Sequence, residues 1–219
     1  MCIRDSPTPK QKPLGLDAIF NASSVAVIGA SEVEDSVGNR LMKNLAESEF
    51  EGKVFPVNMK RAKIMGIKAY KTVSEIPEPV DLAVICTPAK FVPSIVEECG
   101  KNGITGIVII SAGFKEIGKE GKALEKEIYK HKKKYGLKII GPNCLGIIRP
   151  KRKLNATFAV DMPKPGKIAF ISQSGALGTA TLDWAIHENI GFSSFVSIGS
   201  MIDVDFGAVS YTHLTLPTN

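Results

Sequence analysis

Apolar residues in this chain come in short unbroken runs rather than in strict alternation. Residues 25–28, 54–57, 82–85, 107–110 and 139–140 are such runs, rich in Val and Ile, within predicted strands over 25–28, 53–58, 80–85, 106–110 and 137–140, and Gly, Pro, Ser or Asn follows closely after each. Runs of that length and composition, bounded by turn residues, predict strands. Between them the period changes. Leu41, Met42 and Leu45 recur at helical spacing over 38–48, Pro88 opens a second helix running to about Cys99, and a third is predicted over 120–135. Strands that are apolar throughout and alternate with helices predict an α/β fold whose parallel sheet is covered on both faces. Pro56 places the second strand at an edge or a strand end.

In open parallel sheets, ligands gather beyond the carboxyl ends of the strands. The loops at those ends are 29–36, 57–60, 86–88, 111–114 and 141–146, and they hold much of the chain's Gly, Ser, Asn and Pro. Beyond them, 149–165 carries several Lys, Arg and Pro residues and reads as a connection between domains. The strand–loop–helix pattern then restarts: a strand over 166–171, a serine and glycine turn, a helix over 176–187 and a strand over 191–198. The expected organisation is a first domain over 7–148, a linker over 149–165 and the start of a second α/β domain over 166–207. Residues 1–6 and 208–219 resemble translations of one sequencing adapter in two orientations, so both are set aside as foreign; 7–14 reads as a disordered leader.

The bulk properties narrow the function. With 44% hydrophobic and 23% charged residues and no apolar run long enough to span a bilayer, no membrane role is expected. Cys86, Cys99 and Cys144 lack metal-ligand spacing and read as reduced thiols, which points to a cytoplasmic location and no metal site. The formal charge of +6 favours an anionic partner, yet the sparse aromatics and the absence of a recognisable binding module argue against nucleic acid. The run Lys130-His131-Lys132-Lys133-Lys134 sits where a helix C-terminus welcomes cations.

The first glycine loop poses the ligand question. Gly29-Ala30-Ser31, followed by Ser36-Val37-Gly38, puts loop amides and a helix N-terminus after the first strand, an arrangement that receives phosphate. It is not the compact G-x-G-x-x-G of dinucleotide folds, and the second strand ends in Asn58-Met59-Lys60-Arg61 rather than in an acid that would hold a ribose hydroxyl. Cations there suit an additional phosphate, as in NADP or coenzyme A, and these residues alone leave both open. A second anion turn, Ser172-Gln173-Ser174-Gly175, precedes a helix; plain N-capping by one serine is its structural alternative.

Taken in order, these motifs resemble those of the NDP-forming acyl-CoA synthetases, relatives of the succinyl-CoA synthetase α subunit. The matching residues are Gly29-Ala30-Ser31, Ser36-Val37-Gly38, Pro56-Val57-Asn58, Thr87-Pro88, Ser111-Ala112-Gly113-Phe114, Gly141-Pro142-Asn143-Cys144-Leu145-Gly146, Ser172-Gln173-Ser174-Gly175-Ala176-Leu177 and Asp203-Val204-Asp205-Phe206-Gly207. Met59 departs from the family's usual proline. The resemblance implies a Rossmann-like coenzyme A domain followed by a flavodoxin-like domain. It implies exchange of acyl-CoA, ADP or GDP and phosphate with acid, coenzyme A and ATP, through an acyl phosphate and a phosphohistidine. Coenzyme A would meet Gly29, Ala30, Ser31, Ser36, Val37, Gly38, Pro56, Val57, Asn58, Lys60, Cys86, Thr87, Pro88, Ser111, Ala112, Gly113, Asn143 and Cys144. Phosphate would meet Ser172, Ser174, Gly175 and Ala176.

None of His131, His187 and His213 has the context of the family's phosphorylated histidine, so the chain is expected to bind coenzyme A without completing catalysis alone. ADP or ATP with Mg would lie on an ATP-grasp subunit or fused domain outside this chain, within an oligomer. The small carboxylic acid is not identified; Thr179 stands where succinate-specific relatives carry a bulkier aromatic. A coenzyme-A-binding regulatory module fused to an acetyltransferase, and an NADP-dependent reductase domain, are the competing readings.

Overall fold

A computed structural model describes residues 15–213. The leader over 7–14, the adapter-like residues 1–6 and residues 214–219 lie outside the described residues. A short helix α1 (Leu16–Phe20) precedes β1 (Ser24–Ile28), which enters α2 (Val37–Glu47). Then come β2 (Lys53–Val57), a two-residue hairpin of β3 (Lys63–Ile64) and β4 (Ile67–Lys68), β5 (Leu82–Ile85), α3 (Val92–Lys101), β6 (Gly106–Ile109), α4 (Lys119–Tyr135) and β7 (Lys138–Ile140). The five long strands form one parallel sheet in the order β2-β1-β5-β6-β7.

The unbroken apolar runs follow from burial on both sides. Side chains alternate across a sheet: Val25, Val27, Leu82, Val84 and Val108 face one core with Leu41, Met42 and Leu45 of α2, while Ala26, Ile28, Ala83, Ile85, Ile107 and Ile109 face a second core under α3 and α4. Pro56 lies in β2 at the sheet edge, as a residue without an N–H requires. Its carbonyl accepts the Tyr70 N–H at 2.9 Å.

The expected linker is the main correction. Residues 146–157 form a hairpin, β8 (Gly146–Arg149) and β9 (Leu154–Thr157), that joins β10 (Pro165–Ser172) and β11 (Phe192–Ser197) in a four-stranded sheet ordered β10-β11-β8-β9. Every residue of β9 is buried, because β9 packs on α2. The Asn44 amide of α2 donates to the carbonyls of Thr157 and Ala159, both at 2.7 Å. The helix α2 therefore shares one core with both sheets: Leu41 and Leu45 cluster with Leu154, Ala156, Ile147 and Val196. The basic turn between the strands, Pro150–Arg152 with Lys153 at φ 52°, is what made the stretch read as a connection.

Helix α5 (Gly175–His187) follows β10, and α6 (Phe206–His213) closes the described chain. Residues 208–213, read as foreign, continue α6, and Val209 is fully buried. Among the described residues, no helix is long and apolar enough to cross a membrane.

Candidate functional site

All the watched loops project from the carboxyl ends of the parallel strands, as the topology demands. The loop after β1 turns at Gly29, whose φ of 99° suits glycine. Ser31 Oγ accepts the Val33 N–H at 3.0 Å, and Ser36 caps α2, accepting the Asn39 N–H at 3.2 Å while donating to the Val33 carbonyl at 2.7 Å. The first-turn amides of Val37 and Gly38 meet no acceptor among the described residues and carry the positive end of the helix dipole.

Asn58 ties this loop to the end of β2. Its amide donates to the Ala30 carbonyl at 2.8 Å, and its Oδ1 accepts the N–H groups of Lys60 and Arg61 at 2.8 and 3.0 Å. Arg61 closes the arrangement with a 2.8 Å ion pair to Glu32, whose second oxygen accepts the Met65 N–H. The basic stretch is thereby held against the loop after β1, with Lys60 exposed beside it.

Two clefts flank the loop after β5. The first, about 410 Å³, is bounded by Gly29, Val57, Asn58, Lys60, Thr87 and Pro88 together with Val73, Phe91 and Ile95. The second, about 380 Å³, is bounded by Val37, Cys86, Ser111, Ala112, Asn143 and Cys144 and reaches Leu145, Phe158, Gln173 and Gly175. Cys86 and its neighbour Thr87 thus face different clefts. The Thr87 hydroxyl is buried with no hydrogen-bond partner among the described residues, while its carbonyl accepts Ser111 Oγ at 2.5 Å. Ser111 in turn accepts the Asn143 N–H at its carbonyl, 2.9 Å, joining the loops after β6 and β7.

The sequence-predicted residues are not all equivalent. Pro56 is buried within β2 and bounds neither cleft; Ala30 is buried and serves through its carbonyl. The Gly113 N–H is taken by Glu116 at 2.7 Å. Burial alone would raise the Glu116 pKa, but the N–H groups of Gly113, Glu116 and Phe114 outweigh it and hold the carboxyl below its usual range. Burial pushes the thiols of Cys86 and Cys144 up to about 12, so both stay protonated at neutral pH.

At the second turn, Ser172 Oγ accepts the Ser174 N–H at 3.0 Å, and Ser174 caps α5 by accepting the Leu177 N–H at 3.2 Å. Both serines are therefore already engaged in shaping the turn. The amides of Gly175 and Ala176 meet no acceptor among the described residues. Ala176 itself is exposed and bounds neither cleft. A methyl group on Gly175 would meet nothing within 4 Å, so chain packing does not require glycine there.

The clefts are also lined by Phe91, Ile95, Glu98 and Phe158, which sequence reading did not single out, and by Gln173, which it named only as part of the second turn. The first three recur at three- to four-residue spacing after Thr87-Pro88 on one helical face, a signal that was available. Phe158 carried none: it follows β9, a strand the sequence did not reveal.

With this geometry in view, comparisons with known proteins are specific. A family model described as CoA binding domain matches residues 23–150, and one described as succinyl-CoA ligase like flavodoxin domain matches 165–214. The α subunit of acetate–CoA ligase (ADP-forming) I from Pyrococcus furiosus is 50% identical over 88% of this chain and 42% of its own length. A 4-hydroxybutyrate–CoA ligase (ADP-forming) from Nitrosopumilus maritimus is 42% identical over 89% of this chain and 28% of its own. The dinucleotide forming acetyl-coenzyme A synthetase 1 of Ca. Korarchaeum cryptofilum, solved with phosphate and ADP, superposes with a TM-score of 0.87 at 40% identity, covering 92% of this chain and 43% of that one. The chain spans less than half the length of each of these relatives.

Proposed function

This chain belongs to the family of CoA-binding domains, and on that premise we propose that it is the coenzyme-A-binding part of an ADP-forming acid–CoA ligase. The observation that carries the reading is the pair of clefts meeting at Cys86 and Thr87. An extended ligand with a cation-seeking end, a central pyrophosphate and a distal thiol fits that layout. Its adenine lies against Ile95, Phe91 and Val73, its pyrophosphate faces the amides of Val37 and Gly38, and its pantetheine crosses the unpartnered Thr87 hydroxyl. Coenzyme A supplies the thiol that takes up the acyl group.

The chain's own contribution is to bind, orient and exclude water. Lys60 offers charge to the ribose phosphate, and the turn at Ser172–Gly175 offers amides to a phosphoryl group at the far end of the second cleft. His187 lies at the opposite end of α5 from Gly175, about 18 Å away at 1.5 Å per residue. A phosphorylated histidine, the nucleotide and Mg are accordingly assigned to an ATP-grasp subunit or domain outside this chain, and the whole assembly to an oligomer. The cytoplasm is the proposed location, in keeping with the free thiols of Cys86, Cys99 and Cys144. The reductase and regulatory-module readings have no support from the relatives described above.

Titration calorimetry tests the assignment. Coenzyme A is expected to bind at least tenfold more tightly than its 3′-dephospho form or NADP, the scale of one charge-assisted contact. Lys60→Ala is expected to remove most of that advantage and leave dephospho-coenzyme A unchanged. Tighter binding of NADP than of coenzyme A would sink the proposal.

Thr87→Val separates ligand contact from packing. Removing a buried, unpartnered hydroxyl relieves a desolvation cost, so urea denaturation should show stability raised by about 1 kcal/mol. Coenzyme A affinity should fall about threefold to tenfold. A variant both less stable and equally tight-binding would show that the hydroxyl serves the fold instead.

A further inference from the structure

The second cleft has an aromatic wall that the binding argument does not use. Phe158 is 39% exposed, yet the backbone on either side of it is hydrogen-bonded to side chains. The Asn44 amide, itself 2% exposed, donates to the carbonyl on either side of it, Thr157 and Ala159, at 2.7 Å each. Thr157 Oγ1 accepts the Ala159 N–H at 3.1 Å and lies 2.6 Å from Asn155 Oδ1, to which it donates. With the flanking backbone pinned to buried groups, the ring lines the cleft together with Ile110, Ala112 and Leu145.

Its position is chemically particular. The cleft is lined by Val37, on the helix whose N-terminus faces the proposed pyrophosphate, and also by Gln173 and Gly175 of the phosphoryl turn. An acyl group passing between thiol and phosphate has to occupy the space between, and its hydrocarbon tail needs apolar surface there. Cys86 and Cys144, held as neutral thiols, keep that region uncharged. An exposed ring held by a buried amide is a costly feature for the fold alone, since Asn44 Oδ1 is left buried with no hydrogen-bond partner among the described residues.

We infer that Phe158, positioned by Asn44, limits the length of the acyl group and selects short-chain carboxylic acids. This rests on coenzyme A lying in the clefts as proposed above. Because α2 carries both the phosphate-facing amides and Asn44, the same helix that seats the coenzyme sets the acyl boundary.

The test is calorimetric titration of the full chain with coenzyme A, acetyl-CoA and hexanoyl-CoA. Wild type is expected to bind acetyl-CoA about as tightly as coenzyme A and hexanoyl-CoA about tenfold more weakly. Phe158→Ala and Phe158→Leu should narrow the gap between the two acyl derivatives to within threefold, and Phe158→Trp should widen it, all without altering coenzyme A affinity. Circular dichroism confirms that each variant is folded; at a partly exposed position the leucine variant keeps most of the packing. An unchanged acyl preference in all three variants, with coenzyme A still bound, overturns the role of Phe158 alone. Failure of the wild-type chain to bind coenzyme A overturns the assignment of the clefts and this inference with it.

Discussion

Gly38→Ala is expected to lower coenzyme A affinity at least a hundredfold and to destabilise the chain by about 3 kcal/mol. A methyl group at this position would sit 2.0 Å from the Gly29 carbonyl oxygen and 3.2 Å from the Ser31 nitrogen. All the obstructing atoms are backbone, so no rotamer change can relieve the clash. Either α2 retreats from the loop or the loop opens, and each moves the amides of Val37 and Gly38 away from the bend at Gly29. Losing the geometry of one or two charge-assisted hydrogen bonds accounts for the affinity, at about 1.5–3 kcal/mol each. Calorimetry with coenzyme A and urea denaturation read the two effects separately. Binding within threefold of wild type would mean that the loop tolerates the displacement and does not hold the ligand through these amides.

A second large effect is expected at a residue that lines neither cleft. Asp203 is 6% exposed in its side chain and pairs at 2.8 Å with Lys132, which is 22% exposed. Its other oxygen accepts the Ile139 N–H of β7 at 2.9 Å. Around it, the N–H groups of Ser200, Ile202 and Val204 donate to the carbonyls of Pro142, Gly141 and Ile139. The segment after β11 thus covers the free edge of β7 and fastens the second sheet to the first, closing an edge that would otherwise offer unpaired backbone groups. Asp203→Ala leaves a cation and an amide without their acceptor. Removing one partner of a buried pair costs about 3–5 kcal/mol; the water still reaching Lys132 reduces this to about 2–3 kcal/mol. The melting temperature should fall by about 5–10 °C. Asp203→Asn, which keeps an acceptor for the Ile139 N–H, should lose roughly half as much. A loss below about 0.5 kcal/mol in the alanine variant would show that the backbone pairing alone holds the junction.

The first sheet was legible because its information is local. Each strand is buried on both faces by neighbours that follow directly in the chain, so composition and period sufficed to place β1, β2, β5, β6 and β7 and the loops beyond them. The hairpin β8–β9 was not legible in the same way. The partner of Ile147 is Val196, far along the chain, and Leu154 is covered by α2, so nothing near 149–165 announces burial. Lys151, Arg152 and Lys153 at the turn, and Pro163 and Pro165 beyond, dominate the local pattern and mimic a linker.

The candidate site divides along the same line. Gly29, Gly38 and Ser174 are marked by residue type, because turns, close approach and capping each demand particular side chains. From sequence alone came the α/β class, the strand ends where ligands gather and the positions of both glycine turns. Only the tertiary structure decided that the clefts part at Cys86 and Thr87, that the Thr87 hydroxyl has no partner among the described residues, and that Asn44 fastens the carbonyls flanking Phe158. The physical reason is that hydrogen-bond satisfaction and cleft shape depend on which distant segments are brought together, and residue order along one strand or helix does not record that.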